Sequence, residues 1–241
     1  MNNHIPHHER LIVALDMPSA FSAKILIRTL DDSVGFYKIG MELFTDPYVY
    51  EVIALLKRLD KKVFIDLKYY DIPETVYRAT SRLVDYGIDF MTVHSTPQTV
   101  EAAAKAASDT KTKVLAVTVL TSIDQNELTA MGLPDYSIAG LVLSRTSIAI
   151  KNGADGVVCS GLEAKLIRDK FVNDIGYIVT PGIRSNTDAT KDDQKRICTI
   201  EQAFKNGADY IVVGRPIRDV SNPIDAANSI QNQIRKTCKY M

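Results

Sequence analysis

Asp66, Lys68 and Asp71 crowd the end of one hydrophobic run, Val63-Phe64-Ile65-Asp66-Leu67-Lys68-Tyr69-Tyr70-Asp71-Ile72-Pro73-Glu74-Thr75. On an extended strand, residues two apart project from the same face, which puts Asp66 and Lys68 together and leaves Asp71 in the turn beyond. Taken alone, such a stretch is an ordinary solvated strand-to-helix turn. A second group of chemically able residues lies near the other end of the chain, in Val212-Val213-Gly214-Arg215-Pro216-Ile217. Gly214 lets a backbone approach an anion, Arg215 offers a forked donor for phosphate oxygens, and Pro216 suits the first position of a short helix.

Both groups need elements to hold them. The chain repeats one unit: a short run of Val, Ile, Tyr or Phe, a turn, then a segment with helical spacing. Eight strands are expected, at Leu11 to Leu15, Gly35 to Ile39, Val63 to Leu67, Phe90 to Val93, Val114 to Val119, Gly156 to Cys159, Tyr177 to Val179 and Tyr210 to Val213. Most lack strict alternation, as parallel strands covered on both faces do. Helices are expected to begin near Pro18, Pro47, Pro73, Pro97, Asp124, Ser137, Gly161, Thr199 and Pro223, several at Pro or a capping residue. Three of them close alike, at Tyr86-Gly87-Ile88-Asp89, Asn152-Gly153-Ala154-Asp155 and Asn206-Gly207-Ala208-Asp209, with Gly placed for a left-handed helix end before a strand. The pattern points to a single-domain α/β fold, a (β/α)8 TIM barrel over residues 11–241, with a doubly wound sheet as the alternative. Residues 1–10, holding three of the four histidines (His4, His7, His8), read as a frayed arm.

Composition narrows the partners. Lys+Arg and Asp+Glu both total 29, so no bulk positive field exists for nucleic acid or an anionic membrane. No run approaches the roughly 18 apolar residues of a membrane span, and a cytoplasmic protein is expected. Cys159, Cys198 and Cys238 are widely spaced and lack zinc-type neighbours, so reduced, structural thiols are expected and no metal site.

In a (β/α)8 barrel the chemistry sits where strands end and loops begin. Read together, those ends are polar: Asp16, Lys38, Asp66 with Lys68, His94, Thr121 with Ser122, Cys159 with Ser160, Thr180 to Arg184, and Gly214 with Arg215. Their convergence on one mouth implies a small polar ligand, and loops seven and eight are the usual place for its phosphate. The polar stretch Pro181 to Arg196, carrying Arg184, Gln194 and Arg196, is expected to be a lid over that phosphate. His94 reads as a hydrogen-bonded supporting residue, Cys159 and Ser160 as packing or loop residues, and Tyr69 and Tyr70 as shields of the rim.

The ordered set Lys38-Ile39-Gly40, Asp66-Leu67-Lys68, Asp71-Ile72-Pro73 with Thr75, Leu120-Thr121-Ser122, Pro181-Gly182-Ile183-Arg184, Asp193-Gln194-Lys195-Arg196 and Gly214-Arg215-Pro216-Ile217 resembles the orotidine 5′-phosphate decarboxylase family of the bacterial type. The resemblance runs from Asp16 to the last helix. It implies a homodimeric barrel that converts orotidine 5′-phosphate to UMP in pyrimidine nucleotide synthesis without metal or organic cofactor. By the same resemblance Lys38, Asp66, Lys68 and Asp71 form an alternating charge array, with Lys68 the proton donor to C6. Asp71 and Thr75 serve the neighbouring subunit's site, and Asp16 and Lys38 hold ribose hydroxyls. Thr121 and Ser122 meet the pyrimidine, Arg184, Gln194, Gly214 and Arg215 grip the phosphate side, and Pro181 joins the substrate-binding set. The rival is a metal-dependent sugar-phosphate decarboxylase or aldolase of a related barrel family, which shares Asp-x-Lys-x-x-Asp, needs Mg²⁺ and would use Glu42. A catalytically silent barrel that binds a nucleotide as a sensor is the reading from another class.

Overall fold

A computed structural model describes residues 5–184 and 196–239. Its strands are β1 (Leu11–Ala14), β2 (Phe36–Gly40), β3 (Lys62–Tyr69), β4 (Phe90–His94), β5 (Lys113–Val117), β6 (Gly156–Val158), β7 (Tyr177–Thr180) and β8 (Tyr210–Val213). All neighbours pair in parallel in sequence order, and β8 returns to β1 through Ile12 opposite Val212, which closes the barrel and removes the doubly wound alternative. The helices are α1 (Ala20–Leu30), α2 (Met41–Phe44), α3 (Val49–Arg58), α4 (Pro73–Val84), α5 (Pro97–Ala107), α6 (Gln125–Ala130), α7 (Ile138–Lys151), α8 (Ala164–Lys170), α9 (Ile200–Lys205), α10 (Arg215–Arg218) and α11 (Pro223–Cys238). Asp124, Ser137 and Thr199 are N-caps whose side chains accept a backbone N–H of the first turn, and Pro73, Pro97 and Pro223 open α4, α5 and α11. Among the described residues no helix is long and apolar enough to cross a membrane.

Two cores result. One lies between strands and helices. The other fills the barrel interior with Ile12, Phe36, Phe64, Phe90, Leu115, Val179, Tyr210 and Val212. Phe90 is the hub of the inner core, with ring centroids of Phe36, Tyr210 and Phe64 at 5.1, 5.2 and 5.9 Å. Such edge-on aromatic contacts add specificity to apolar burial. Strand alternation then carries the same inward face from apolar to polar: two residues beyond Phe36, Phe64 and Phe90 stand Lys38, Asp66 and Thr92. The aromatic layer is the floor on which the charged groups rest.

The three repeated helix ends share one device. Gly87, Gly153 and Gly207 have φ of 64°, 88° and 92°, the left-handed conformation that closes a helix. The aspartate two residues on then clamps the preceding strand at both of its hydrogen-bonding groups. Asp89 N–H donates to Val63 O at 2.8 Å while its carboxylate accepts Val63 N–H at 2.9 Å. Asp155 does the same to Val114 and Asp209 to Ile178. Each carboxylate also holds a base: Lys57 and Lys111 at Asp89, Lys113 at Asp155, Arg168 at Asp209.

The expectation of a frayed arm over 1–10 is not met from Ile5 onward. Ile5 is buried against the inner aromatic core, His7–Glu9 form one 3-10 turn, Glu9 pairs with Lys62, and Gln231 donates to His8 O. The apolar side chain has a floor to seal, which an arm read by composition alone does not reveal. Residues 1–4, including His4, lie outside the described residues.

Candidate active site

A cavity of about 570 Å³ opens at the C-terminal ends of the strands. It brings together Asp16, Lys38, Asp66, Lys68, Thr121, Ser122, Pro181, Arg184, Gly214 and Arg215, ten of the residues expected from sequence. Gln194 lies outside the described residues. Asp71 and Thr75 are exposed and off the cavity wall.

At its centre charges alternate along a ladder. Asp16 Oδ1 lies 2.8 Å from Lys38 Nζ, Lys38 Nζ 3.4 Å from Asp66 Oδ2, and Asp66 Oδ1 3.0 Å from Lys68 Nζ. Lys38 is 8% exposed. Burial by itself would lower its pKa, but Asp66 and Asp16 outweigh that and hold it above the ordinary lysine value. Burial would raise Asp66, yet Lys38 and Lys68, with hydrogen bonds from Lys68 and Thr92, hold its carboxyl below the ordinary value. Gly40 belongs to this geometry for a steric reason: a Cβ there would fall 2.6 Å from Asp16 Oδ1 and 3.0 Å from Lys38 Nζ.

Strand alternation brings Asp66 and Lys68 to one place by a less direct route than their spacing implies. Ile65 pairs with Met91 and Tyr69 with Val93, so three residues of β3 face the single residue Thr92, and the register shifts. Lys68 takes φ of 52°, a left-handed backbone that costs a residue with a Cβ about 1–2 kcal/mol. The bulge aims the Lys68 amine back at Asp66. Asp71, by contrast, accepts Ile72 N–H at 2.6 Å in the exposed turn before α4, flanked by exposed Tyr70 and Ile72. Of three charges adjacent in sequence, two meet and the third faces outward.

The far side of the cavity is built by loops seven and eight. Gly214 N-caps α10, Arg215 is its first residue, and Pro216 follows in the first turn. Arg184 lines the same side and donates to Ile183 O at 2.7 Å. Sequence reasoning missed Arg218, one turn beyond Arg215, which lines the cavity, donates to Asp16 O and pairs with Asp219 at 2.7 Å. Its signal was the i+3 spacing from Arg215.

Arg196 is corrected. Expected to be carried at the end of a polar lid, it is buried instead, with Nη1 2.7 Å from Glu163 Oε1 and Nη2 donating to Val119 O and Leu120 O, both at 2.9 Å. Its own N–H donates to Thr121 O and its carbonyl accepts Ser160 Oγ–H. It is a strut beneath the loops that carry Thr121 and Ser122. The cause is Glu163, too far away in sequence to be paired with it by inspection. Burial raises the Glu163 pKa, against the pull of Arg196.

His94 does not line the cavity. Its ring lies 5.2 Å from that of Tyr70, and burial, then Arg145 and Lys68, lower its pKa. Cys159 and Cys198 are buried free thiols, Cys159 at the cavity wall with its pKa driven up by burial and Cys198 pushed up to about 11 by the same cause. Ser160 is engaged by the Arg196 carbonyl and the Leu162 N–H. Among the described residues no group of three or more His, Cys, Asp or Glu is placed to hold a metal ion, although Glu42 lines the cavity.

Comparison with known proteins points one way. The pattern of the Orotidine 5′-phosphate decarboxylase / HUMPS family matches residues 9–230. A Methylococcus capsulatus protein named orotidine 5′-phosphate decarboxylase is 49% identical over 234 residues, 97% of this chain and 95% of its own length. One of the same name from Xanthomonas euvesicatoria is 45% identical over 228 residues, 95% of this chain and 93% of its own. The crystal structure of orotidine 5′-phosphate decarboxylase from Lactobacillus acidophilus superposes with a TM-score of 0.80 at 36% identity, covering 94% of this chain and 99% of that one.

Proposed function

The chain belongs to the orotidine 5′-phosphate decarboxylase / HUMPS family, and from that premise we propose how its cavity works as a carboxy-lyase turning orotidine 5′-phosphate into UMP and CO₂, a step of pyrimidine nucleotide synthesis. The observation that carries the reading is the Asp16–Lys38–Asp66–Lys68 ladder in one cavity with Arg184 and Arg215. Breaking the bond from C6 to the carboxylate leaves an electron pair in the ring plane, with little resonance relief. A fixed cation beside C6 stabilises that charge as it forms, and a cation held in place before the reaction is worth more than one in water. Lys68 is that cation. It then gives its proton to C6 as CO₂ departs, and recovers one from water after product leaves.

Each neighbour has a part. Asp66 aims Lys68, and Lys38 and Lys68 between them keep the Asp66 carboxylate ionised. Asp16 and Lys38 take ribose hydroxyls, Thr121 and Ser122 the pyrimidine edge, and Pro181, Arg184, Gln194, Gly214 and Arg215 the phosphate side. Phosphate binding far from the broken bond fixes the ring against Lys68. The outward Asp71 and Thr75 fit a homodimer in which each subunit lends them to its neighbour's site, and exposed Tyr70 and Ile72 beside them supply apolar surface for that contact. A cytoplasmic setting suits the free buried thiols.

The metal-dependent sugar-phosphate alternative is disfavoured by the ladder itself, since the Lys38 ammonium already engages the carboxylates of both Asp16 and Asp66. EDTA-treated protein assayed with orotidine 5′-phosphate separates the two. Undiminished CO₂ release supports the cofactor-free mechanism, whereas turnover of a sugar phosphate that returns only with Mg²⁺ would establish the other.

A further inference from the structure

The bulge that presents Lys68 has a support outside the ladder. Lys68 lies in the stretch between Ile65 and Tyr69 where β3 loses register with β4. There Thr92 Oγ1 accepts the Lys68 N–H at 2.9 Å. The same hydroxyl gives its only proton to Asp66 Oδ1, also at 2.9 Å. Thr92 is 1% exposed, so neither bond has water as a substitute. Asp66 Oδ1 thus receives two donors, Thr92 and the Lys68 amine at 3.0 Å, while Oδ2 faces Lys38.

We infer that Thr92 is a positioning residue for decarboxylation: one hydroxyl locks the left-handed backbone of Lys68 and the rotamer of the Asp66 carboxylate that aims its amine. The direction of the two bonds matters. Because the hydroxyl proton is given to Asp66, the lone pair is left for Lys68 N–H, and the arrangement requires Asp66 Oδ1 to be an acceptor. Both ends of the Asp66–Lys68 pair are therefore referred to a single rigid point on β4. A β-branched residue suits it, since its χ1 is restricted and the hydroxyl does not wander. The inference rests on the assignment of Asp66 and Lys68 to the reaction.

Thr92→Ser and Thr92→Ala test it, because Ser and Ala at this position differ by the hydroxyl alone. Steady-state decarboxylation of orotidine 5′-phosphate gives kcat and KM, UMP titration gives product affinity, and thermal melting reports folding. Thr92→Ala is expected to lose about 10- to 100-fold in kcat, the equivalent of one hydrogen bond to a charged group, with UMP affinity within about threefold of the parent. Thr92→Ser is expected to recover most of that kcat. A Thr92→Ala enzyme with unaltered kcat overturns the inference, as does a Thr92→Ser enzyme as slow as Thr92→Ala, which would assign the loss to the methyl group. Either result leaves the activity of the parent standing. If the parent itself fails on orotidine 5′-phosphate, the assignment of the ladder falls and this inference with it.

Discussion

Asp66→Asn removes the one anion that two ammonium groups share. Its oxygens lie 3.0 Å from Lys68 Nζ and 3.4 Å from Lys38 Nζ, and its side chain is 14% exposed. An amide balances neither cation. Lys38 retains Asp16 at 2.8 Å, so the loss falls on Lys68, whose ammonium is left near Lys38 without a counter-charge. Removing one partner of a buried pair costs about 3–5 kcal/mol; the surviving Asp16 contact and the partial exposure of Lys68 place the expected loss near the lower end, about 3 kcal/mol. A misdirected amine adds a kinetic penalty, and a shift of about 1 Å in a reacting group is worth about 100-fold in rate. The pH dependence carries a further signature. Burial acts to raise the Asp66 pKa, but the two lysines prevail and hold it below the unfolded value of about 3.9. A carboxyl depressed on folding contributes stability that is present above the unfolded pKa and lost as pH falls through the folded one. Urea unfolding from about pH 7 down to about pH 3 should therefore show the parent losing a contribution below about pH 4 that Asp66→Asn lacks. The reasoning is refuted if the variant stays within about 1 kcal/mol of the parent at neutral pH and keeps the same acid slope.

The clamps under the barrel should rank by what their carboxylates hold: Asp209→Ala, losing Ile178 N–H and Arg168 at 2.6 Å, should cost more in urea unfolding than Asp155→Ala, which loses Val114 N–H and Lys113 at 3.1 Å, with about 1.5–3 kcal/mol for each charged hydrogen bond. Equal costs would argue that the closer Arg168 contributes no more than Lys113. Arg196→Met leaves Glu163 buried and unpaired and should destabilise by about 3–5 kcal/mol, and adding Glu163→Gln should recover part of that; no recovery in the double variant would deny their coupling. On the proposed dimer with a shared site, mixing the Lys68→Ala and Asp71→Ala proteins should restore activity through hybrids with one intact site, and an inactive mixture with subunit exchange demonstrated would place Asp71 outside the neighbour's chemistry.

The barrel was legible because its parallel strands and left-handed glycines leave local marks: Tyr210–Val213 was located to the residue, and Gly87, Gly153 and Gly207 all adopt positive φ. What the repeated Asp does after each Gly was not legible, because its partner is a strand N–H well back in the chain. The site followed the same division. Asp16, Lys38 and Asp66 sit at strand ends and could be aligned once the strands were placed. Lys68 reaches Asp66 through a bulge, which alternation does not foresee. Thr92 reads as an ordinary β-branched strand residue, and nothing in the sequence around it signals that its hydroxyl bonds to the neighbouring strand. Arg196 misled because a charge in a polar loop suggests solvent or substrate, whereas Glu163 and two carbonyls of the loop after β5 draw it inward. The short helix α2 carries no side-chain cap and left no mark at all.

The most direct measurement is CO₂ release and absorbance change with orotidine 5′-phosphate, for EDTA-treated parent and Lys68→Ala side by side, with UMP binding measured on both. The expected result is turnover by the parent without added metal, near-complete loss in Lys68→Ala, and UMP binding retained. Normal turnover by Lys68→Ala would contradict the role of Lys68 as the cation and proton donor at C6.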